Sequence, residues 1–176
     1  MFSYLIKLLR MMPLLTFIIS FLYFLLTFNF KYLILTIVLI TNDYANRFIK
    51  YIIKSTFGDS ICGFLGKRPK GAKDCGFFEN SSIQKESYGM PSGHSQNIGF
   101  ISIYLILNTL NQNYKKEKKL LIVSSLIILI FVIMYSRIYL NCHTYPQVII
   151  GVIIGLLFGY IYHMNEDLII KYIFNI

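Results

Sequence analysis

Apolar residues run along this chain in five stretches, roughly 12–28, 32–53, 92–110, 120–140 and 145–163, each bounded by polar or basic positions. About 20 residues with few charges is the length a helix needs to cross a bilayer. The pattern predicts an all-α, polytopic membrane helix bundle with about five transmembrane helices, six being the most that the length allows. A polar loop at 55–91 separates the second stretch from the third, and a short basic loop, NQNYKKEKK at 111–119, joins the third to the fourth. The opening MFSYLIKLLRMMPLL has the positive flank of a signal peptide, but no small-residue cleavage site follows and apolar character continues to residue 40. A retained anchor is expected. The closing NEDLIIKYIFNI is too short to cross and is expected to lie at the interface.

Counting crossings places the long loop and the turn YSRIYLNCHTYPQ on one membrane face, with 111–119 and the C-terminal tail on the other. The four lysines of 111–119 favour the cytoplasm, which puts the long loop in a lumen or outside; the basic residues of that loop, Lys7 and Arg10 pull the other way. The sequon NSS at Asn80 tests this, because it takes glycan only if the loop is lumenal.

Composition narrows the class. Hydrophobic residues make up 56% of the 176, charged ones 14%, and tryptophan is absent. A mean hydropathy of +0.60 is too apolar for an ordinary soluble domain. The net charge of +9 does not point to nucleic acid, since the basic residues lie between and at the ends of apolar runs while the aromatic ones lie within them. That placement suits membrane lipid headgroups or an anionic substrate. Nothing in the sequence fixes an oligomeric state.

Gly151, Gly155 and Gly159 recur every four residues, giving the fifth helix a smooth face for close packing. Asn42, Asp43, Asn46, Arg47 and Lys50 interrupt the second stretch at helical spacing and should face a bundle interior or a wet cavity. Asp43 and Arg47 read as an internal i, i+4 ion pair, with orientation of a site as the alternative. Of three cysteines, Cys62 and Cys75 share the long loop; a disulfide between them and two free thiols are both open.

Three polar clusters fall on the same face: GKRPKGAKDCG at 66–76, MPSGHSQ at 90–96 and YSRIYLNCHTYPQ at 135–147. Pro91 and Ser92 can start and cap a helix, and Gly93 lets a group approach the backbone, so the first-turn N–H groups form an anion site. Simple helix initiation, with His94 a polar interfacial residue, explains the same letters. Arg137 suits bidentate phosphate binding, and six residues later His143 starts the next span with Gln147 one turn on. A histidine oriented by a neighbouring acceptor can attack phosphorus or transfer a proton. Arg68, with Lys67 and Lys70, adds positive charge. No carboxylate accompanies the histidines at ligand spacing, so no metal or other cofactor is expected and fixed cations would stabilise the transition state. His163, far from these clusters, reads as an interfacial residue.

These residues resemble the type-2 phosphatidic acid phosphatase superfamily, whose motifs are K-x6-R-P, P-S-G-H and S-R-x5-H-x3-D. PSGH is complete at 91–94, and SRIYLNCH at 136–143 has the spacing of the third motif. YGMPSGHSQ and YSRIYLNCHTYPQV look most like the dolichyl diphosphatase branch, which carries glutamine where others carry the aspartate. The resemblance covers about 50–160 and implies one integral-membrane phosphatase domain over 1–176, with loop 55–91 on the active-site side. It implies that His143 is the nucleophile, His94 the acid for the leaving oxygen, and Gln147 the orienter of His143. Arg68, Arg137, Ser92, Gly93 and a motif-one lysine would hold the phosphoryl group. Ile61 stands seven residues before Arg68, so that lysine is Lys54, with extra loop residues before Arg68, or Lys67, beside it. The implied function is metal-independent hydrolysis, through a phosphohistidine, of a polyprenyl diphosphate at the lumenal face of an endoplasmic-reticulum-type membrane. Phosphatidate or another glycerolipid phosphate is the alternative substrate; a non-catalytic binder of lipid headgroups is the alternative of another class.

Overall fold

A computed structural model describes residues 2–57, 66–72, 75–76 and 88–174, with side chains from Tyr4 onward. Most of the 55–91 loop, including Ile61, Cys62 and Asn80, lies outside the described residues. Those that are described form five helices: α1 Phe2–Thr27, α2 Phe30–Phe57, α3 Gly93–Asn111, α4 Lys116–Tyr139 and α5 Tyr145–Phe174. The all-helical architecture expected from the apolar pattern is present, with no strand among the described residues. Three helices are long and apolar enough to cross a membrane: Tyr4–Thr27, Lys116–Tyr139 and Tyr145–Phe174. α2 and α3 are less apolar because they carry the polar ladder between helices. Asn46 Nδ2 donates to Gln96 Oε1 at 2.8 Å, and Gln96 Nε2 donates to Asn42 Oδ1 at 2.8 Å. Each amide satisfies the next, which is what removes the cost of burying them.

The helix ends follow local chemistry. α1 breaks at Phe28, where φ is 50°, and Asn29 Oδ1 then accepts the Lys31 N–H at 3.0 Å to start α2. α3 starts at Ser92, whose side chain accepts the Ser95 N–H. α5 packs on α3 through its glycine face. A Cβ at Gly155 would collide with the Gln96 carbonyl, one at Gly159 with that of Phe100, and one at Gly151 would come within 2.6 Å of the Ser92 carbonyl. The four-residue glycine repeat is thus a packing surface that lets two backbones touch.

One expectation changes. The tail after 163 does not form a separate interfacial segment but continues α5 to Phe174. One of its charged residues finds partners inside the bundle: buried Glu166 accepts from Tyr104 Oη at 2.6 Å and Tyr162 Oη at 3.1 Å, and pairs with Lys31 Nζ at 2.6 Å. These contacts tie the start of α2 to α3 and α5. His163 sits beside Asn108 and Asn111 and meets the Tyr104 ring edge-on.

Candidate active site

The α4–α5 turn builds the centre of the site. Asn141 adopts φ 53°, a left-handed conformation that asparagine tolerates, and reverses the chain after α4. The N–H groups of Cys142 and His143 then both reach back to the Arg137 carbonyl, at 2.9 and 3.3 Å. The S-R-x5-H spacing is therefore the length of one helix end plus one tight turn.

Gln147, one turn into α5, fixes the His143 ring. Its Nε2 donates to the Lys67 carbonyl at 2.7 Å and its Oε1 accepts the Thr144 N–H at 3.2 Å, so the amide orientation is determined. Oε1 must therefore accept from His143 Nδ1, 3.1 Å away, which puts the ring proton on Nδ1 and the lone pair on Nε2. Gly89 is required here, since a Cβ at that position would strike Gln147 Oε1. Arg68 Nη1 donates to the Cys142 carbonyl at 3.0 Å and lies 3.2 Å from His143 Nε2. Burial first, then the charges of Arg68, Lys50 and His94, hold the His143 ring well below its ordinary value, with the Gln147 hydrogen bond opposing them. These causes favour the neutral ring. Burial lowers the Arg68 guanidinium to about 10, so it remains a cation.

His94 faces His143 across a cleft of about 190 Å³ whose lining includes Asn46, Lys50, Arg68, Gly93, His94 and His143. Its Nε2 lies 2.8 Å from the Arg10 carbonyl, which can only accept, so Nε2 carries a proton. Pro13, which also lines the cleft, lacks the N–H that would donate to the Leu9 carbonyl one turn back, next to Arg10. Arg137 is wholly buried. Its Nε donates to Ser136 Oγ at 3.2 Å, but Nη1 and Nη2 have no hydrogen-bond partner among the described residues. An unpaired buried guanidinium costs several kcal/mol, roughly, and marks a place where an anion belongs.

The three sequence clusters thus meet: Arg68, Gly93, His94 and His143 line the cleft, while Gln147 and Arg137 stand behind that lining, Gln147 holding the His143 ring and the Arg137 carbonyl its N–H. Ser92 serves the helix start, its Oγ accepting from Ser95 Oγ at 3.0 Å as well as from the Ser95 N–H. Lys54 is not among the residues lining the cleft; its ammonium lies 5.9 Å from the Tyr88 ring centroid. Lys67 contributes its carbonyl to Gln147 and bridges to Tyr88. Lys50, one turn before Lys54, does line the cleft. It was legible in the sequence as a polar interruption of α2 in the four-residue series Asn42, Asn46, Lys50, which faces inward. The Asp43–Arg47 ion pair forms at 2.8 Å, at the cleft rim. Among the described residues no three His, Cys, Asp or Glu side chains gather as a metal site.

The cysteine expectation is corrected. Cys75 is bonded to Cys142, with Cα atoms 5.4 Å apart, and so is neither paired with Cys62 nor free. The physical reason is that residues 66–72 and 75–76 lie against the α4–α5 turn. Asn141 Nδ2 donates to the Lys70 carbonyl at 3.2 Å and Arg68 holds that of Cys142, which brings the two cysteines within disulfide reach.

The chain resembles known proteins over most of its length. The family description PAP2 superfamily matches residues 30–169. The dolichyldiphosphatase of Saccharomyces cerevisiae is 31% identical over 162 residues, covering 91% of this chain and 62% of that protein. Dolichyldiphosphatase 1 of Dictyostelium discoideum is 36% identical over 96 residues (53% of this chain, 40% of that protein). Its Homo sapiens namesake is 40% identical over 76 residues (39% and 32%). The chain therefore spans less than two thirds of the length of these relatives. No solved structure matches it.

Proposed function

The chain belongs to the PAP2 superfamily, and on that premise we propose that it hydrolyses a lipid diphosphate, a polyprenyl diphosphate of the dolichyl type, without a metal ion. The observation that carries this reading is Arg137, a fully buried cation with both terminal nitrogens unpartnered among the described residues, whose own carbonyl accepts the His143 N–H at 3.3 Å. Three relatives named dolichyldiphosphatase support the choice of lipid.

In this mechanism Lys50, Arg68 and Arg137 take the oxygens of the terminal phosphoryl group and stabilise its charge in the transition state. Arg68 exchanges its contact with His143 Nε2 for a phosphoryl oxygen, which frees the lone pair. Nε2 attacks phosphorus, forming the N–P bond as the P–O bond to the bridging oxygen breaks. His94 enters this step as the imidazolium, its Nε2–H held by the Arg10 carbonyl and its second proton, on Nδ1, favoured by the negative charge of the bound diphosphate; Nδ1 gives that proton to the departing lipid monophosphate and is left as a free base. Water then attacks the phosphohistidine, His94 takes its proton, and inorganic phosphate leaves with His143 regenerated. Gln147 keeps the Nδ1 proton in place throughout.

All five helices cross the bilayer in this reading, and the cleft opens at the lumenal face of an endoplasmic-reticulum-type membrane. A disulfide beside the nucleophile fits an oxidising compartment, and the lysines of 111–119 at the other end fit the cytoplasm. The test is phosphate release by the purified protein in detergent with EDTA, offered polyprenyl diphosphate, phosphatidate or glucose 6-phosphate. Release should be fastest from polyprenyl diphosphate and fall at least about a thousandfold in His143→Ala. No release from either lipid would overturn the enzyme reading, and release from phosphatidate alone would overturn the substrate.

A further inference from the structure

Between α1 and α4 runs an apolar groove of about 520 Å³, walled by Leu5, Leu9, Ile128, Phe131, Val132 and Ser136 among others. Phe131, Tyr135 and Tyr139 follow one another at four-residue intervals along it, with the two tyrosine rings stacked at 6.0 Å. One end of the groove consists of Ser136, Tyr139 and Leu140, on either side of Arg137 in the chain, and Ser136 Oγ is the atom that receives Arg137 Nε. Across from it, Leu9 immediately precedes Arg10, whose carbonyl holds His94. The other end reaches Ile128, nine residues before Arg137, or about 14 Å along a helix. That is about half the thickness of a hydrocarbon core of ~30 Å.

We propose that this groove holds the apolar chain of the substrate, the isoprenoid units that follow the diphosphate, and thereby selects for a long lipid. The inference rests on the lipid-diphosphatase reading. Its wall is continuous with the residues that fix Arg137 and His94, so a headgroup bound at those residues leaves its chain at the groove mouth. Once the headgroup is held, filling the groove is an intramolecular event favoured by high effective concentration, an advantage that free membrane lipid lacks. The apolar cavity between α2 and α5, lined by Val38, Phe158 and Ile161, contains no residue of the phosphate-binding clusters.

Val132 lines the groove and is 39% exposed, so Val132→Trp fills the space without disturbing the core. Leu121→Trp, on the exposed surface of the same helix, is the control. Each is assayed with a long polyprenyl diphosphate and a five-carbon prenyl diphosphate. In Val132→Trp, kcat/KM for the long substrate should fall about tenfold or more, a size typical of pocket discrimination, while the short one stays within about twofold. An equal fall for both, or no fall for either, overturns the groove. Failure of the wild type on both substrates would instead contradict the proposed function. A photoreactive polyprenyl methylenediphosphonate tests the groove without turnover: it should label the peptide containing Phe131 in wild type and Leu121→Trp but not in Val132→Trp. Equal labelling of all three overturns the inference.

Discussion

His143 is oriented by the carbonyl of a carboxamide, and that choice has a measurable consequence. Gln147 fixes the ring proton on Nδ1 but brings no negative charge, so its hydrogen bond favours the imidazolium less than a carboxylate would. With burial and neighbouring cations disfavouring the charged ring, its protonation lies below the ordinary value of about 6.5. The base form is therefore present at mildly acid pH and is lost only lower down. Gln147→Glu would add a carboxylate, favour the imidazolium and raise the His143 pKa. The acid limb of kcat/KM should move to higher pH by about one unit or more relative to wild type, with the substrate's own ionisation common to both. An unmoved limb would mean that His143 does not control it. The motif-one lysine is settled by a similar comparison: Lys50→Met should lower kcat/KM by about a hundredfold, Lys54→Ala and Lys67→Ala by less than about fivefold. The second and third motifs were legible because their geometry is local, a capped helix start and a helix end with one turn. Lys50 was legible only as an inward-facing polar residue of α2; its place in the cleft with Arg68 was not, because the two meet through space and their spacing in sequence carries no motif.

Helix pairing explains the next level. Gly155→Ala would push a methyl group into the Gln96 carbonyl on α3 and should destabilise the bundle by about 1–3 kcal/mol, read as a lower melting temperature in detergent. The same change should lower activity at fixed temperature, since α3 carries His94 and α5 carries Gln147. The four-residue glycine spacing announced this interface, and the apolar runs announced five helices. Where α5 ended was hidden, because Glu166 looks like an exposed tail residue until Lys31, Tyr104 and Tyr162 are seen to surround it. The Cys75–Cys142 bond was equally hidden, with 67 residues between its ends. It staples the segment carrying Arg68 to the turn carrying His143. Cys75→Ser, Cys142→Ser and the double variant should each lower kcat/KM several-fold and to the same extent, and dithiothreitol should lower the wild type but not the variants. Unequal losses would show that one cysteine acts by some route other than the bond.

At the scale of the whole molecule, the two ends of the bundle differ in chemistry. One gathers cations and histidines around the cleft, while the other is closed by the Glu166 network and bordered by the lysines at the start of α4. Most of the outer surface is apolar, with Leu26 80% exposed and Leu168 70% exposed, as lipid contact requires. A lumenal cleft should let Asn80 acquire glycan in microsomes, seen as an endoglycosidase-sensitive mass shift that Asn80→Gln removes. Absence of the shift together with modification of a sequon engineered into 111–119 would invert the orientation. The most direct measurement for the whole scheme is covalent trapping. The protein is mixed with polyprenyl diphosphate radiolabelled in its terminal phosphate and quenched within the first turnover. An alkali-stable, acid-labile label on the peptide containing His143, absent from His143→Ala, is expected. Turnover with no label at any time, or a label that persists in His143→Ala, would contradict it.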